Sequence, residues 1–388
     1  MEPVLVDAVR TPFGRSSGGL SETRTDDLAA IPLRELALRN PELDPASIDE
    51  VVLGNANGAG EDNRNVARMA ALLAGLPVEV AAVTVNRLCG SGGEALIQAA
   101  RQVRAGDATC VVAGGVEGMS RAPLVIAPIE RRLPRSLDVY PTTVGWRMVN
   151  PKFPTTWVES LGRSAELVAQ EYGIGRREQD EWALRSHQRA DAAWAAGFHQ
   201  PGTVSVAGVE KDEGIRPATS LEILAELPSA FSESGSVTAG NSSPISDGAI
   251  AALVCSPAKA RELGREPLGR IVGSAVVGVE PSRFATAPVG AVRKLLTRLG
   301  RRESDIDVLE LNEAFAAVVL CCLRDLDEVR PDAVNVHGGA IALGHPLGAS
   351  AARALVDAGR ALAERGGGFA VMAACIGVGQ GIAIGIEA

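Results

Sequence analysis

SIDEVVLGN at 47–55 and DIDVLELNE at 305–313 decide the fold, because each opens the same longer series in the chain. Ile48 lies 41 residues before Cys89, and Ile306 lies 39 residues before His345. Each marker leads to glycine-rich backbone, an alanine-rich helical segment, a glycine break and an apolar strand. The first continuation is CGSGGEALIQAARQVRAGDATCVVAGG from Cys89, and the second is HPLGASAARALVDAGRALAERGGGFAVMAAC from His345. Matched order and spacing imply two similar halves.

Around these anchors, short β-branched runs at 4–9, 51–53, 109–113, 250–255, 270–277, 308–311, 369–373 and 382–386 read as buried strands. Alanine-rich segments at 63–74, 91–104, 288–299, 312–323 and 349–365 read as helices between them. The alternation predicts a layered α/β protein. Residues 121–244 fit neither half: they hold proline-rich irregular backbone at 122–154 and a helix at 176–196 that ends at Gly197, with Trp182, Ala190, Ala193 and Trp194 at near-helical intervals. The expected division is therefore 1–120 plus 245–268 for the first half, 121–244 for an inserted loop domain that binds the ligand, and 269–388 for the second half.

The 388 residues suffice for two or three domains with large cores. With 47 acidic and 38 basic side chains the net charge is -9, which argues against nonspecific binding to nucleic acid or to an anionic membrane. The start MEPVLVDAVRTP lacks a basic flank and an apolar core, and no stretch reaches the roughly 18 apolar residues of a membrane span. A cytoplasmic protein is expected. The six cysteines show no CxxC and no regular spacing, so neither a disulfide framework nor a metal site is expected, and reduced thiols follow.

Cys89, in VNRLCGSGG, stands just ahead of a helix that Ser91 is placed to cap. A helix N-terminus lowers a nearby thiol's pKa and favours the thiolate, although a small buried cysteine reads the same way locally. His345, in NVHGGAIALGHPLGAS, holds the equivalent place in the second half. A helix start disfavours imidazolium there, and a neutral imidazole can act as the base for Cys89. Cys375, in AACIGVGQG, offers a second thiol beside glycines that let amides approach a substrate. Asn312, in LNEAFA, suits an N-cap as well as a group that orients water beside His345. Cys110, Cys255, Cys321 and Cys322 read as core residues, His337 lacks metal-ligand spacing, and GNANGAG at 54–60 lacks the pattern of a nucleotide phosphate loop.

Taken together, VDAVRTPFGR (6–15), VNRLCGSG, VVAGGVEGMSRAP (111–123), SVTAGNSSPISDGA (236–249), LNEAFA, GGAIALGHPLGAS and CIGVGQG resemble the thiolase family over nearly the whole chain. The resemblance implies two βαβαβαββ halves in an αβαβα sandwich under a loop domain. It also implies an acyltransferase that passes an acyl group between a 3-oxoacyl-CoA and CoA through an acylated Cys89. His345 would activate Cys89, Cys375 would move the second proton, and Asn312 would hold a water. That water with His345 would make one oxyanion hole, and the amides of Cys89 and Gly377 the other. CoA would be a co-substrate rather than a tightly held cofactor, contacted by Arg216, Ser243, Ala239 and Phe315. A homodimer or homotetramer is implied, with residues 124–143 helping to assemble it.

TTVGWRMVNP (142–151) and CLRDL (322–326) are similar to thiolases of 3-oxoadipyl-CoA and related degradative substrates. Ser160 and Leu161 stand where short-chain acetoacetyl-CoA thiolases commonly carry His-Met. A substrate ending in carboxylate calls for a cation, and Arg147 and Arg163 lie in the right segment, where either reads equally as a solvated surface charge. Gly93, Gly118, His337 and Ala351 depart from common family residues without removing a catalytic group. The alternatives are a biosynthetic acetoacetyl-CoA thiolase, a ketosynthase-like enzyme, which normally pairs Cys with two His, and a noncatalytic acyl-CoA or lipid-binding protein.

Overall fold

A computed structural model describes residues 1–129 and 136–388. The first half runs β1 (Val4–Arg10), α1 (Thr25–Arg39), β2 (Glu50–Gly54), α2 (Val66–Leu73), β3 (Ala81–Val85), α3 (Ser91–Ala105) and β4 (Cys110–Gly118). An insertion carrying α4 (Leu161–Glu171) and α5 (Arg176–Ala195) follows, and β5 (Ser246–Cys255) returns to the first half. The second half runs β6 (Gly269–Gly278), α6 (Ala287–Leu299), β7 (Val308–Leu311), α7 (Ala316–Asp325), α8 (Leu347–Arg365), β8 (Phe369–Ile376) and β9 (Gln380–Glu387).

Strand order repeats between the halves. The first is β3-β2-β4-β5-β1 and the second is β7-β8-β9-β6, with Val334 bridged in parallel to Leu309 where β3 has its counterpart. In each half the strand before the central helix's partner pairs in parallel (β2 with β4, β7 with β8), and the last two strands run antiparallel. β1 and β6 join the halves through Val4 opposite Arg270 and Leu5 opposite Gly269. The aspartates of the sequence echo do the same work in both copies. Asp49 accepts the amides of Thr109 and Cys110 at 2.7 and 3.0 Å, and Asp307 accepts that of Phe369 at 2.9 Å, so each pins the start of the neighbouring strand.

Three apolar clusters give the layers. One packs α1 and α2 on the outer face of the first sheet half, another packs α6 and α7 outside the second, and the third lies between them around α3 and α8. Burial of this apolar surface is the main favourable term in folding. The middle layer is built from small residues. A methyl on Gly92 would lie 2.6 Å from the Gly348 carbonyl oxygen, and one on Gly348 would lie 2.2 Å from the Val116 oxygen and 2.6 Å from that of Gly54. The first turns of α3 and α8 therefore touch backbone to backbone.

Several elements differ from expectation for local reasons. The helix expected over 312–323 starts at Ala316, because the Ser243 amide binds the Ala314 carbonyl at 3.0 Å and the Ala316 amide binds that of Asn241 at 2.9 Å, holding 312–315 extended. The segment expected over 63–74 starts later, where Asn65 caps α2 by accepting the Arg68 amide at 3.3 Å. On α5, Trp182, Ala190, Ala193 and Trp194 are buried, and the Trp194 indole donates to Asp212 at 3.0 Å. Within 124–143, Leu124–Ile126 and Val139–Pro141 pair antiparallel, while 130–135 lie outside the described residues. Among the described residues no helix is long and apolar enough to cross a membrane, and all six cysteines are free and buried.

The close approach makes a sharp prediction. Gly348→Ala must displace backbone atoms and is expected to destabilise the protein by about 3 kcal/mol or more. Gly290→Ala, on the exposed face of α6 with its nearest neighbour at 3.5 Å, should instead stabilise by roughly 0.5–1 kcal/mol. Paired thermal melts check this; equal shifts for the two variants would contradict the packing account.

Candidate functional site

Cys89 is presented by a strained turn. β3 ends at Val85, and Leu88 adopts φ +47°, a left-handed conformation uncommon for a residue with a β-carbon. Asn86 Oδ1 accepts the Leu88 amide at 2.9 Å, and Ser91 Oγ accepts the Arg87 amide at 2.8 Å while donating to the Leu88 carbonyl at 2.7 Å. Ser91 thus stitches the turn together, and Gly90 rather than Ser91 occupies the N-cap of α3. Cys89 is buried, and the Gly377 amide beside it favours the thiolate. Its thiol does not follow the expectation of a lowered pKa. Burial pushes it up to about 11, and the nearby Glu117 carboxylate adds to the rise. Loss of solvation outweighs the helix N-terminus here, so the resting group is the thiol.

His345 is fixed at three points. Its amide donates to Ser246 Oγ at 3.0 Å, its Nδ1 lies 2.6 Å from Ser350 Oγ, and its Nε2 lies 3.4 Å from Asn312 Nδ2. Ser350 donates its hydroxyl proton to the Pro346 carbonyl at 2.9 Å. The proton between serine and imidazole therefore belongs to Nδ1, which assigns the tautomer and leaves a lone pair on Nε2. Burial pushes His345 down to about 4, with Arg353 contributing, so the ring is neutral.

Asn312 caps no helix, since Phe315 holds the N-cap of α7. Its amide binds the Ala373 carbonyl at 2.9 Å, two residues before Cys375 on β8. Asn312 Oδ1 is buried and has no protein partner among the described residues, which leaves an acceptor for a solvent or substrate hydrogen. Cys375 is fully buried, and burial, followed by the neighbouring Cys89, pushes its thiol well above the usual range. Gly377 opens the three-residue turn between β8 and β9, in which Val378 and Gly379 both have positive φ. Cys89 thus neighbours Cys375 and Gly377, while His345 and Asn312 meet each other.

The two groups approach through the contact between α3 and α8. Cys89 stands three residues before Gly92 and His345 three before Gly348, the two positions whose backbones touch. Glu117, at the end of β4, secures this junction. Its Oε2 accepts the amides of Gly348 and Ala56, both at 2.9 Å, and its Oε1 accepts that of Asn57 at 3.0 Å. Burial pushes the carboxyl up to about 7, with the amides opposing the rise. Sequence reasoning passed over Glu117 and Ser350. The available signal for Glu117 was a carboxylate placed inside the apolar, glycine-flanked run VVAGGVEG.

Of the residues expected to contact CoA, three share one seam. Ser243 donates its amide to Ala314, Ser242 bridges to Phe315, and Ala239 lies exposed in the same loop. Phe315 is buried, edge-on to Phe231 with centroids 5.9 Å apart. Arg216 is positioned separately: its amide donates to His187 Nδ1 on α5 at 3.2 Å, and its side chain is exposed. The loop that bears it starts at Asp212, which forms a buried ion pair with Arg10 at 2.6 Å.

Comparisons with known proteins agree with this architecture. The family description "Thiolase, N-terminal domain" matches residues 3–258, and "Thiolase, C-terminal domain" matches 265–388. The chain is 49% identical over 394 residues to the beta-ketoadipyl-CoA thiolase of Acinetobacter baylyi, covering 99% of this chain and 98% of that protein. It is 49% identical over 398 residues to the 3-oxoadipyl-CoA/3-oxo-5,6-dehydrosuberyl-CoA thiolase of Escherichia coli, covering 100% and 99%. Human mitochondrial 3-ketoacyl-CoA thiolase in complex with CoA superposes with a TM-score of 0.92 at 36% identity, and Bacillus anthracis acetyl-CoA acetyltransferase with 0.91 at 37%. Each comparison covers 100% of this chain and 98% of the solved one.

A protonated Cys89 has a direct chemical consequence. Its alkylation by iodoacetamide, followed by peptide mass, should keep accelerating with pH beyond 9. Glu117→Gln should move the curve to lower pH by removing a repelling charge. A plateau reached below about pH 8.5, the free-thiol value, would contradict burial as the controlling influence.

Proposed function

Because this chain belongs to the thiolase family, we propose that it is a degradative enzyme that cleaves 3-oxoadipyl-CoA with CoA to give acetyl-CoA and succinyl-CoA. Acyl transfer between CoA thioesters, with CoA as co-substrate, follows from family membership; direction, substrate and the roles of individual residues are the proposal. The observation that carries the reaction is the packing of the Cys89 turn on the turn that follows Cys375: a methyl at Gly90 would lie 2.6 Å from Ile376 Cδ1 and one at Gly377 3.5 Å from Leu88 Cδ1. Full-length identity to relatives named for 3-oxoadipyl-CoA supports the substrate.

His345 Nε2 takes the proton of Cys89 as the sulfur bonds to the 3-oxo carbon. The amides of Cys89 and Gly377 meet the oxygen of this adduct, where preorganised donors are worth most. The bond between C2 and C3 then breaks, its electron pair passing to C2, and Cys375 gives that carbon a proton. His345 and a water held by Asn312 stabilise the enolate oxygen during this step. Acetyl-CoA departs and a succinyl thioester remains on Cys89. An incoming CoA thiol next gives its proton to the Cys375 thiolate and attacks the acyl carbon. Cys89 leaves as thiolate and recovers its proton from His345, closing a ping-pong cycle.

The resting protonation states suit these roles. A high-pKa Cys375 holds the proton that the carbanion needs, and a neutral His345 is ready to accept one. CoA is placed along the seam of Ala239, Ser243 and Phe315, with Arg216 toward its phosphates because guanidinium offers fixed donors to phosphate. The hairpin at 124–126 and 139–141, with Leu124, Ile126 and Val139 exposed, is proposed to pack against another copy of the chain.

Thiolysis assays decide the substrate. The purified protein should show a higher kcat/KM with 3-oxoadipyl-CoA than with acetoacetyl-CoA or a longer 3-oxoacyl-CoA; preference for acetoacetyl-CoA would favour the biosynthetic alternative. Cys89→Ala should lose roughly four orders of magnitude in kcat, whereas full turnover would revive the noncatalytic reading. The pH profile follows from His345, which must be neutral to act and protonates only near pH 4. On the acid side kcat/KM should stay level to about pH 5, and a midpoint near 6.5, the free imidazole value, would contradict the assignment.

A further inference from the structure

Trp146 stands over the position where the acyl group forms. A methyl added at Gly377, whose amide lies beside Cys89, would lie 3.0 Å from Trp146 Cη2, 3.3 Å from its Cζ2 and 3.5 Å from Leu88 Cδ1. The indole N–H donates to the Glu159 carbonyl at 3.3 Å, which fixes the ring. The next residue, Arg147, is half-buried and sends Nη2 to the Asn57 carbonyl at 3.0 Å. Asn57 in turn donates its amide to Glu117, the carboxylate that also holds the start of α8 behind His345. The guanidinium is therefore anchored to the same loop that supports the site.

Its anchor is neutral. A backbone carbonyl leaves the positive charge uncancelled and uses one of five N–H donors. Other cations of the region are already matched: Arg87 with Glu94 at 2.8 Å, Arg283 with Glu171 at 2.9 Å, and Arg121 with Glu61. Lys152 and Arg163, the other cations of this stretch, are both exposed, Arg163 on α4. Among the described residues Arg147 meets no carboxylate within ion-pair distance.

We propose that Arg147 receives the distal carboxylate of a dicarboxylic 3-oxoacyl-CoA and is the residue that selects such substrates over their uncharged analogues. The proposal rests on the thiolase reading above and deepens it. After cleavage of 3-oxoadipyl-CoA, the acyl group on Cys89 carries its carboxylate three bonds from the thioester carbon. Trp146 walls the methylene segment, and the adjoining guanidinium offers paired donors that match a carboxylate in geometry and charge. Partial burial strengthens that attraction relative to a surface pair.

The test compares kcat/KM for 3-oxoadipyl-CoA and 3-oxohexanoyl-CoA, which share a six-carbon chain and differ in the terminal carboxylate. Wild type should favour the former. Arg147→Gln, which keeps a donor for the Asn57 carbonyl, should lose roughly 10- to 100-fold on 3-oxoadipyl-CoA and stay within about threefold on 3-oxohexanoyl-CoA. Arg147→Lys, which keeps a cation, should retain more of the preference than the glutamine variant, and Arg163→Gln should match wild type on both substrates. Equal losses on both substrates, an undiminished preference in Arg147→Gln, or a lysine variant no better than glutamine would overturn the role of Arg147 alone. A wild type indifferent to the carboxylate would overturn it together with the 3-oxoadipyl-CoA reading. A wild type that cleaves acetoacetyl-CoA but neither of these compounds would likewise overturn it together with the 3-oxoadipyl-CoA reading.

Discussion

The backbone contact between the first turns of α3 and α8 is the constraint on which the rest depends. Cys89 in one half and His345 in the other each stand three positions ahead of a glycine, and the two glycines meet where no side chain fits. Duplicated halves related in this way seat the turn that carries Cys89 against α8, the helix that His345 precedes, without a long mobile loop. Glu117 reinforces the contact from the first half by binding the Gly348 amide of the second, and the same carboxylate orders the loop at 56–57. Elements of a rigid sandwich hold catalytic groups with less positional freedom than loops do.

Burial then sets the electrostatics. At Cys89 a helix N-terminus and the Gly377 amide favour the thiolate, yet desolvation is the larger influence and keeps the proton on sulfur. His345 responds to the same dry surroundings by staying neutral, with Ser350 fixing which nitrogen carries the proton. Cys89 thus rests as a neutral thiol and His345 as a neutral imidazole. In the proposed reaction charge develops only when substrate arrives, beside the amides of Cys89 and Gly377.

Much of this was legible in the sequence. The SID and DID echoes mark aspartates that pin equivalent strands, and the spacing from those echoes to Cys89 and His345 carries the duplicated topology. The motif residues Cys375, Gly377 and Asn312 fall around the same strand end. What escaped depended on long-range packing. Nothing local in LNEAFA announces that residues 241–243 hold it extended, and Ser91 reads as a cap until the turn at Leu88 takes its hydroxyl. The direction of the Cys89 pKa was misjudged for the same reason, because a helix start is visible in sequence whereas burial is not. Trp146 lies 231 residues from Gly377 along the chain, and only the folded insertion places its ring there.

The central claim is that a thiol from one half becomes acylated while acetyl-CoA leaves first. Rapid quenching of the enzyme with 3-oxoadipyl-CoA in the absence of free CoA, followed by intact and peptide mass analysis, measures this directly. One acetyl-CoA per site should appear in a burst, with a succinyl group stoichiometrically on Cys89. No burst, or an acyl group carried by another residue, would contradict the account.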